Sequence, residues 1–199
     1  MRSDRRWFGA AALALLATLS LPLPALASPM PEARFWSIID STRDDDQARQ
    51  VMSLKAKLSA LTPEEIAAFA ACFDRQLQRA NRWDLWGAAY VAMGGASDDG
   101  FEYFRDWLIG RGRRDFEQVL ADPDSLAAIA PADAEQLEFE ALAGVAARAW
   151  SVRTGKPEEA MPRATTDAAP PPGKPFSEDA GALAKRYPKL WRRFGGSAR

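Results

Sequence analysis

Two helix-forming segments joined by a glycine pair dominate the middle of this 199-residue chain. In the first segment, apolar residues recur at the three- and four-residue spacing of one helix face: Trp86, Ala89, Tyr90 and Met93. Gly94-Gly95 ends this pattern with residues that tolerate positive φ, and Ser97 then begins a new pattern as a helix-capping residue. The inward face of the second segment consists of Phe101, Phe104 and Leu108. The stretch predicts two consecutive amphipathic helices.

Helical periodicity extends over most of the chain after its leader. Thr62-Pro63-Glu64-Glu65 is a capping box with proline at the first helical position, and it predicts the start of another helix. A last core helix is predicted from roughly Asp133 to Val152, with these residues inward: Phe139, Leu142, Ala146 and Ala149. Because no run alternates with period two, strands are not expected. The predicted fold is all-α, an orthogonal multi-helix single domain.

The first 27 residues have the pattern of a signal peptide. Arg2, Arg5 and Arg6 precede an apolar run, prolines end that run, and Ala25-Leu26-Ala27 provides a small-x-small cleavage site. Residues 5–8 also resemble a twin-arginine signal, although Asp4 stands where that signal usually has serine or threonine. Both the general secretory and the twin-arginine route remain open. We expect a mature protein in the periplasm or secreted from the cell.

Composition divides the mature chain into three parts. Residues 28–153 form the predicted helical core domain, residues 154–175 a connection rich in proline and alanine, and residues 176–199 a basic, aromatic C-terminal helix. Residues 174–199 carry a net charge of +5, whereas the mature part before them carries −8. The sequence therefore favours a C-terminal helix that packs back on the body, through aromatic anchors such as Trp191. The alternative is an arm for lipid head groups or another anionic partner.

Several short motifs together resemble one bacterial family. They are Phe35-Trp36, residues 84–90, residues 94–101, residues 104–109 and Asp122-Pro123-Asp124. This combination resembles domain of unknown function 4240, and the resemblance extends to the Arg-Tyr-Pro-x-Leu-Trp element at residues 186–191. It covers most of the chain after the leader. Because that family has no established activity, the resemblance implies a fold but does not indicate a reaction or a ligand.

Composition also excludes several kinds of site. The chain has no histidine, so serine–histidine and cysteine–histidine nucleophile pairs, histidine metal sites and histidine pH switches are excluded. Cys72 is the only cysteine, which rules out an intrachain disulfide, and its apolar neighbours favour a buried core residue. No cofactor motif is present, and an exported, mildly acidic protein is a poor nucleic-acid binder.

The candidate binding site predicted from the sequence consists of Asp84, Trp86, Ser97, Asp98, Asp99, Arg105 and Trp107. Two carboxylates with an arginine could act in acid/base chemistry or hold Ca²⁺ or Mg²⁺. However, serine followed by two aspartates is also what a helix start prefers, and capping with salt bridges is the favoured interpretation. Asp84 is expected either exposed at a helix start or buried beside an arginine such as Arg105. Trp86 and Trp107 could line a ligand cleft, but core packing is favoured.

Three functions are compatible with these features. The favoured one is a non-enzymatic binding or interaction domain with a cell-envelope or protein partner. The second is a carboxylate-dependent enzyme or metal-binding protein centred on Asp84, Asp98, Asp99 and Arg105. The third is a peripheral cell-envelope protein that uses its basic tail. Convergence of the four charged residues on one open cleft would favour the second.

Overall fold

Short connections join a series of α-helices in the computed structural model, which describes residues 29–133, 137–163 and 170–195. The helices of the first part are α1 Glu32–Asp40, α2 Gln47–Ser59, α3 Pro63–Ala80, α4 Trp83–Met93, α5 Asp98–Gly110 and α6 Arg113–Ala121. After the 3₁₀ helix Pro123–Ala128 come α7 Glu140–Ala143, α8 Val145–Thr154, the 3₁₀ helix Glu158–Ala160, α9 Ala180–Arg186 and α10 Pro188–Phe194. These ranges contain no strand. The all-α prediction is confirmed.

Local signals set the helix boundaries as the sequence predicts. The Thr62 hydroxyl accepts a hydrogen bond from the backbone N–H of Glu65, and the Glu65 side chain accepts one from the N–H of Thr62, which completes the capping box. Asp46 caps α2 by accepting from the N–H of Arg49. Gly94 ends α4 at φ 70°, a left-handed conformation that suits glycine.

One hydrophobic core connects the helices. Helix α3 packs against α1, α5 and α8, and α8 also contacts α2. The largest fully buried side chains include Trp36, Phe35 and Phe69. Cys72 is buried as predicted, and burial raises the pKa of its thiol.

The predicted helix from Asp133 to Val152 is wrong in its boundaries. Asp133 lies outside any helix, and the helical residues divide into α7 and α8 on either side of Gly144. Phe139, with φ −138° and ψ 54°, lies outside the helical region, so α7 begins only after it. Glycine is a poor helix former, which accounts for the division at Gly144. The expected inward residues are nevertheless buried: Phe139, Leu142, Ala146 and Ala149.

The C-terminal segment packs back on the body, as predicted, but as two helices. Pro188 is the first residue of α10, and Tyr187 before it leaves the helical conformation, as residues that precede proline usually do. The buried side chains of this segment are Leu183, Tyr187, Leu190 and Phe194. Trp191, which the sequence offered as an anchor, is only partly buried.

A buried carboxylate holds the start of α10. Asp124, 6% exposed, accepts hydrogen bonds from the backbone N–H of Lys189 at 3.0 Å and of Leu190 at 2.9 Å. These are free N–H groups of the first turn, where a negative charge is favoured. Nearby, the Lys189 ammonium forms an exposed ion pair with Asp122. The Asp122-Pro123-Asp124 motif therefore binds the start of the last helix, α10, to the body.

A missing side chain on α4 lets the C-terminal segment come close. A Cβ atom on Gly87 would lie 2.5 Å from the Tyr187 hydroxyl and 3.0 Å from the Phe176 ring. In its absence, the Tyr187 hydroxyl donates to the main-chain oxygen of Asp84 at 2.7 Å. The absence of a side chain at Gly87 therefore allows the C-terminal segment to pack directly on α4.

The predicted leader, residues 1–27, lies outside the described residues. Within the ranges that are described, none of the helices combines the length and apolar character needed to cross a bilayer.

We expect Asp124→Ala to lower the free energy of unfolding by about 2 kcal/mol, because the free N–H groups of α10 lose their acceptor inside the protein. Urea unfolding measures this loss. Lys189→Ala is the matched control, since it removes only the exposed ion pair and should cost less than about 1 kcal/mol. Equal losses in the two variants would contradict the assignment of Asp124 as the anchor of α10.

Candidate functional site

Five aromatic rings form a continuous stack that runs from α4 along α5. The ring centroids of Trp83 and Trp86 are 5.0 Å apart and their planes differ by 6°. Those of Trp86 and Phe101 are 4.8 Å apart, with an interplanar angle of 7°. Phe104 follows at 6.2 Å from Phe101, and Trp107 at 5.8 Å from Phe104. Offset stacking of this kind contributes beyond the burial of area alone. The stack fixes the position of α4 relative to α5.

Three of the predicted site residues belong to this stack or lie on it. Trp86 donates from its indole nitrogen to the main-chain oxygen of Ala96 at 3.1 Å. Trp107 is buried, with the stack on one side. The Arg105 guanidinium lies 5.1 Å from the centre of the Phe101 ring and donates to the main-chain oxygen of Leu77 at 3.3 Å. All three stabilise the packing of α5.

Ser97, Asp98 and Asp99 form the start of α5. The Ser97 hydroxyl accepts from the N–H of Gly100 at 3.1 Å, as an N-cap does. Asp98 and Asp99 are exposed in the first turn, where acidic side chains complement the helix dipole. The capping interpretation accounts for all three positions.

Asp84 binds Arg82 rather than Arg105. Its carboxylate accepts two hydrogen bonds from the guanidinium of Arg82, which also donates to the main-chain oxygen of Leu120 at 2.9 Å. Within the part of the chain that the structure describes, no hydrogen bond or ion pair joins any two of these charged residues: Asp84, Asp98, Asp99 and Arg105. They do not form one polar cluster.

A surface pocket of about 340 Å³ lies at the outer end of the aromatic stack. Its lining comes from the start of α4, from the proline-rich connection and from the end of α9: Arg82, Trp83, Asp84, Pro172, Gly173, Lys174 and Arg186. Trp83 is partly exposed there. The pocket thus combines an aromatic ring with three cationic side chains and one carboxylate, and we call it the Trp83 pocket.

A second cleft, of about 450 Å³, lies between α5, α7 and α8. It is lined by Glu102, Tyr103, Asp106, Glu140, Ala141, Ala143, Gly144 and Arg148. Asp106 is 1% exposed, and its Oδ1 atom has no hydrogen-bond partner among the described residues. Buried carboxyl oxygens without partners are uncommon. We call this the Asp106 cleft.

Burial, followed by the negative charge of Glu102, raises the pKa of Asp106 to about 8, although the positive charge of Arg105 opposes the shift. Asp74 on α3 and Glu140 on α7 also raise it. In the same cleft, the charge of Glu140 raises the pKa of the Tyr103 hydroxyl. Glu102 and Glu140 therefore add negative charge around the cleft, whereas burial is the main cause of the Asp106 shift.

The described residues contain no group of three or more cysteine, aspartate or glutamate side chains placed to hold a metal ion. The carboxylates of the Asp106 cleft therefore do not converge on one point.

The comparison with known proteins identifies a family for this architecture. A family model described as a protein of unknown function, DUF4240, matches residues 30–151. The chain belongs to the DUF4240 family. No curated protein and no solved structure matches it. The matched range covers α1 to α7 and most of α8, including the aromatic stack and the Asp106 cleft, and ends before α9 and α10.

The sequence prediction missed most residues of both pockets in this DUF4240 chain. Lys174 and Arg186 reach the Trp83 pocket from segments distant in sequence, and no local pattern links them to Trp83. Asp106 had a weak signal, because a charged residue stands directly before the apolar run of residues 107–109. The three-residue spacing puts Asp106 on the same helix face as Tyr103. Burial of the Asp106 carboxyl, however, depends on how α7 and α8 pack against that face.

We expect Asp106→Asn to become more stable relative to the wild type as the pH rises from about 4 to about 8. The native state holds the Asp106 proton up to a pKa of about 8, whereas the unfolded chain releases it near 3.8. Wild-type stability therefore falls across this range, by up to about 1.4 kcal/mol per pH unit, and the asparagine variant lacks this loss.

Urea unfolding of both proteins at a series of pH values measures the difference. Asp99→Asn, which removes an exposed carboxyl from the same helix, is the matched control. A constant difference between the wild type and Asp106→Asn over the whole range would contradict the burial of an ionisable Asp106.

Proposed function

We propose that this DUF4240 protein is an exported, non-enzymatic binding domain, and that the Trp83 pocket binds a ring-shaped ligand that carries an anionic group. One observation supports this most directly. The partly exposed Trp83 ring meets Lys174 and Arg186 in a single pocket, and neither cation has a carboxylate partner in the part of the chain that the structure describes.

The aromatic wall of the pocket is rigid. Trp83 stacks on Trp86 at an angle of 6°, and Phe176 packs against it at 6.4 Å. Because the stack continues into the core through Phe101, the indole cannot turn without disturbing α5. A preorganised ring loses little conformational entropy when a flat ligand or a sugar face packs on it.

The charges of the pocket favour an anion. Asp84 is neutralised by Arg82, whereas Lys174 and Arg186 have no carboxylate within ion-pair distance among the described residues. The Arg186 guanidinium lies 5.6 Å from the centre of the Tyr187 ring, which restricts its position. Two unpaired cations beside an aromatic ring match an anionic group attached to a ring.

The two other functions have less support. Asp84, Asp98, Asp99 and Arg105 do not meet in one cluster, so the enzyme or metal-binding alternative lacks a centre. A membrane-surface helix must expose its apolar face to lipid. In the C-terminal segment that face is buried in the body through Leu183, Tyr187, Leu190 and Phe194.

Titration with ring anions tests the pocket. We expect glucose 6-phosphate or galacturonate to shift the indole NMR signal of Trp83, with neither glucose nor inorganic phosphate alone binding as tightly. Trp83→Leu should weaken binding about fivefold or more, through loss of the stacking surface. Lys174→Gln and Arg186→Gln should weaken it and reduce its salt dependence. Lys55→Gln, an exposed charge removed on α2, is the control.

Two results would contradict this proposal. One is the absence of any Trp83 shift with both ring anions. The other is binding of equal strength in the wild type and in Trp83→Leu.

Export is tested separately by the mass of the protein made from the full-length chain. The basic start, apolar run and Ala25-Leu26-Ala27 site predict cleavage after Ala27. We expect an envelope or culture fraction to contain a protein that begins at Ser28. An intact N-terminus at Met1 in the cytoplasmic or membrane fraction would contradict export and leave the pocket proposal unaffected.

A further inference from the structure

We propose that the Asp106 cleft is a binding site for a primary alkylammonium group, with an ammonium N–H donating to Asp106 Oδ1 at the floor and with Glu102 and Glu140 at the rim. This site lies on α5, α7 and α8 and is independent of the Trp83 pocket.

The unpartnered oxygen defines what the floor of the cleft can accept. Asp106 Oδ1 is buried and receives no hydrogen bond from the described residues. An unsatisfied buried acceptor is costly, and a ligand that donates to it removes that cost. The ligand group that fits is therefore a hydrogen-bond donor small enough to reach the floor.

The charges around the cleft select a cation. Glu102 and Tyr103 face it from α5, Glu140 from α7 and Arg148 from α8, while Asp74 acts on Asp106 from α3. Arg148 is restrained, because its guanidinium donates to the main-chain oxygen of Ala141 at 2.7 Å and lies against Gly144. With Asp106 protonated, Glu102 and Glu140 still outnumber the lining arginine, Arg148, and Asp106 adds a further negative charge once its proton leaves, while Arg105 on α5 opposes them at Asp106.

The remaining walls suit a short alkyl chain. Ala141, Ala143 and Gly144 contribute small side chains or none, and Tyr103 adds an aromatic side chain to the lining. A hard metal ion requires about six oxygen ligands converging on it. The described carboxylates do not converge in that way. An alkylammonium needs only one buried acceptor and a negative rim.

Binding should release a proton from Asp106. A neighbouring positive charge favours the ionised carboxylate, so the ligand lowers a pKa that burial has raised to about 8. Proton release is therefore expected near pH 7, where the empty cleft holds the proton. It disappears near pH 9, where Asp106 is already ionised without ligand.

Calorimetric titration of the protein with n-butylammonium and with 1,4-diaminobutane tests the site, in two buffers of different ionisation heat. We expect both to bind and to release protons at pH 7. Tetramethylammonium, which has no N–H, should bind about tenfold more weakly or not at all. Tighter binding of the diamine would support a free polyamine as the source, and equal binding would support a lysine-like side chain.

Asp106→Asn should lose the proton release and weaken binding about tenfold or more. Asp99→Asn, which also replaces one aspartate of α5 by asparagine, should keep both properties. Equal binding of tetramethylammonium, or unchanged binding and proton release in Asp106→Asn, would overturn the proposal. Asparagine preserves the shape of the side chain, so the variant should keep its fold. Its helical circular dichroism spectrum checks this.

Discussion

The stack of five aromatic rings is the interaction on which the other features depend. It joins α4 to α5, and its outer ring, Trp83, is the wall of one pocket. It continues along α5, the helix that carries Asp106. Because each ring contacts the next at about 5 to 6 Å, α4 and α5 cannot shift independently. The stack therefore explains why aromatic residues are concentrated between residues 83 and 107.

The C-terminal segment contributes to structure and to the pocket at once. Its apolar side chains are buried, and Asp124 holds the start of α10 through backbone N–H groups. Two of its basic side chains also contact the body: Lys189 in an exposed ion pair with Asp122, and Arg193 in a hydrogen bond to the main-chain oxygen of Ala127. Lys174 and Arg186 remain available at the Trp83 pocket. The opposite charges of tail and body and the aromatic residues of the tail both predicted this docking, and in the structure backbone capping by Asp124 and packing of apolar side chains hold the tail in place.

Local signals made much of the fold predictable, and long-range packing made the sites difficult to predict. Capping by Thr62 and Ser97 and the left-handed Gly94 depend on neighbours within a few residues, so their interpretation from sequence was correct. The hydrogen bond from Tyr187 to Asp84 joins residues 103 positions apart, and no periodicity indicates it. Likewise, Asp84 could not be assigned to Arg82 over Arg105, because the choice depends on how Arg82 reaches Leu120.

The two proposed sites differ in how much they lower the stability of the native state when no ligand is bound. In the Trp83 pocket, Lys174 and Arg186 are exposed, so water solvates their charges and little stability is lost. In the Asp106 cleft, one carboxyl oxygen, Oδ1, is buried without a hydrogen bond from the described residues, which destabilises the native state. A substitution to a neutral residue would remove that cost and keep the core intact. The presence of a carboxyl at a position that favours an apolar or amide side chain is therefore the strongest physical reason to look for a ligand there.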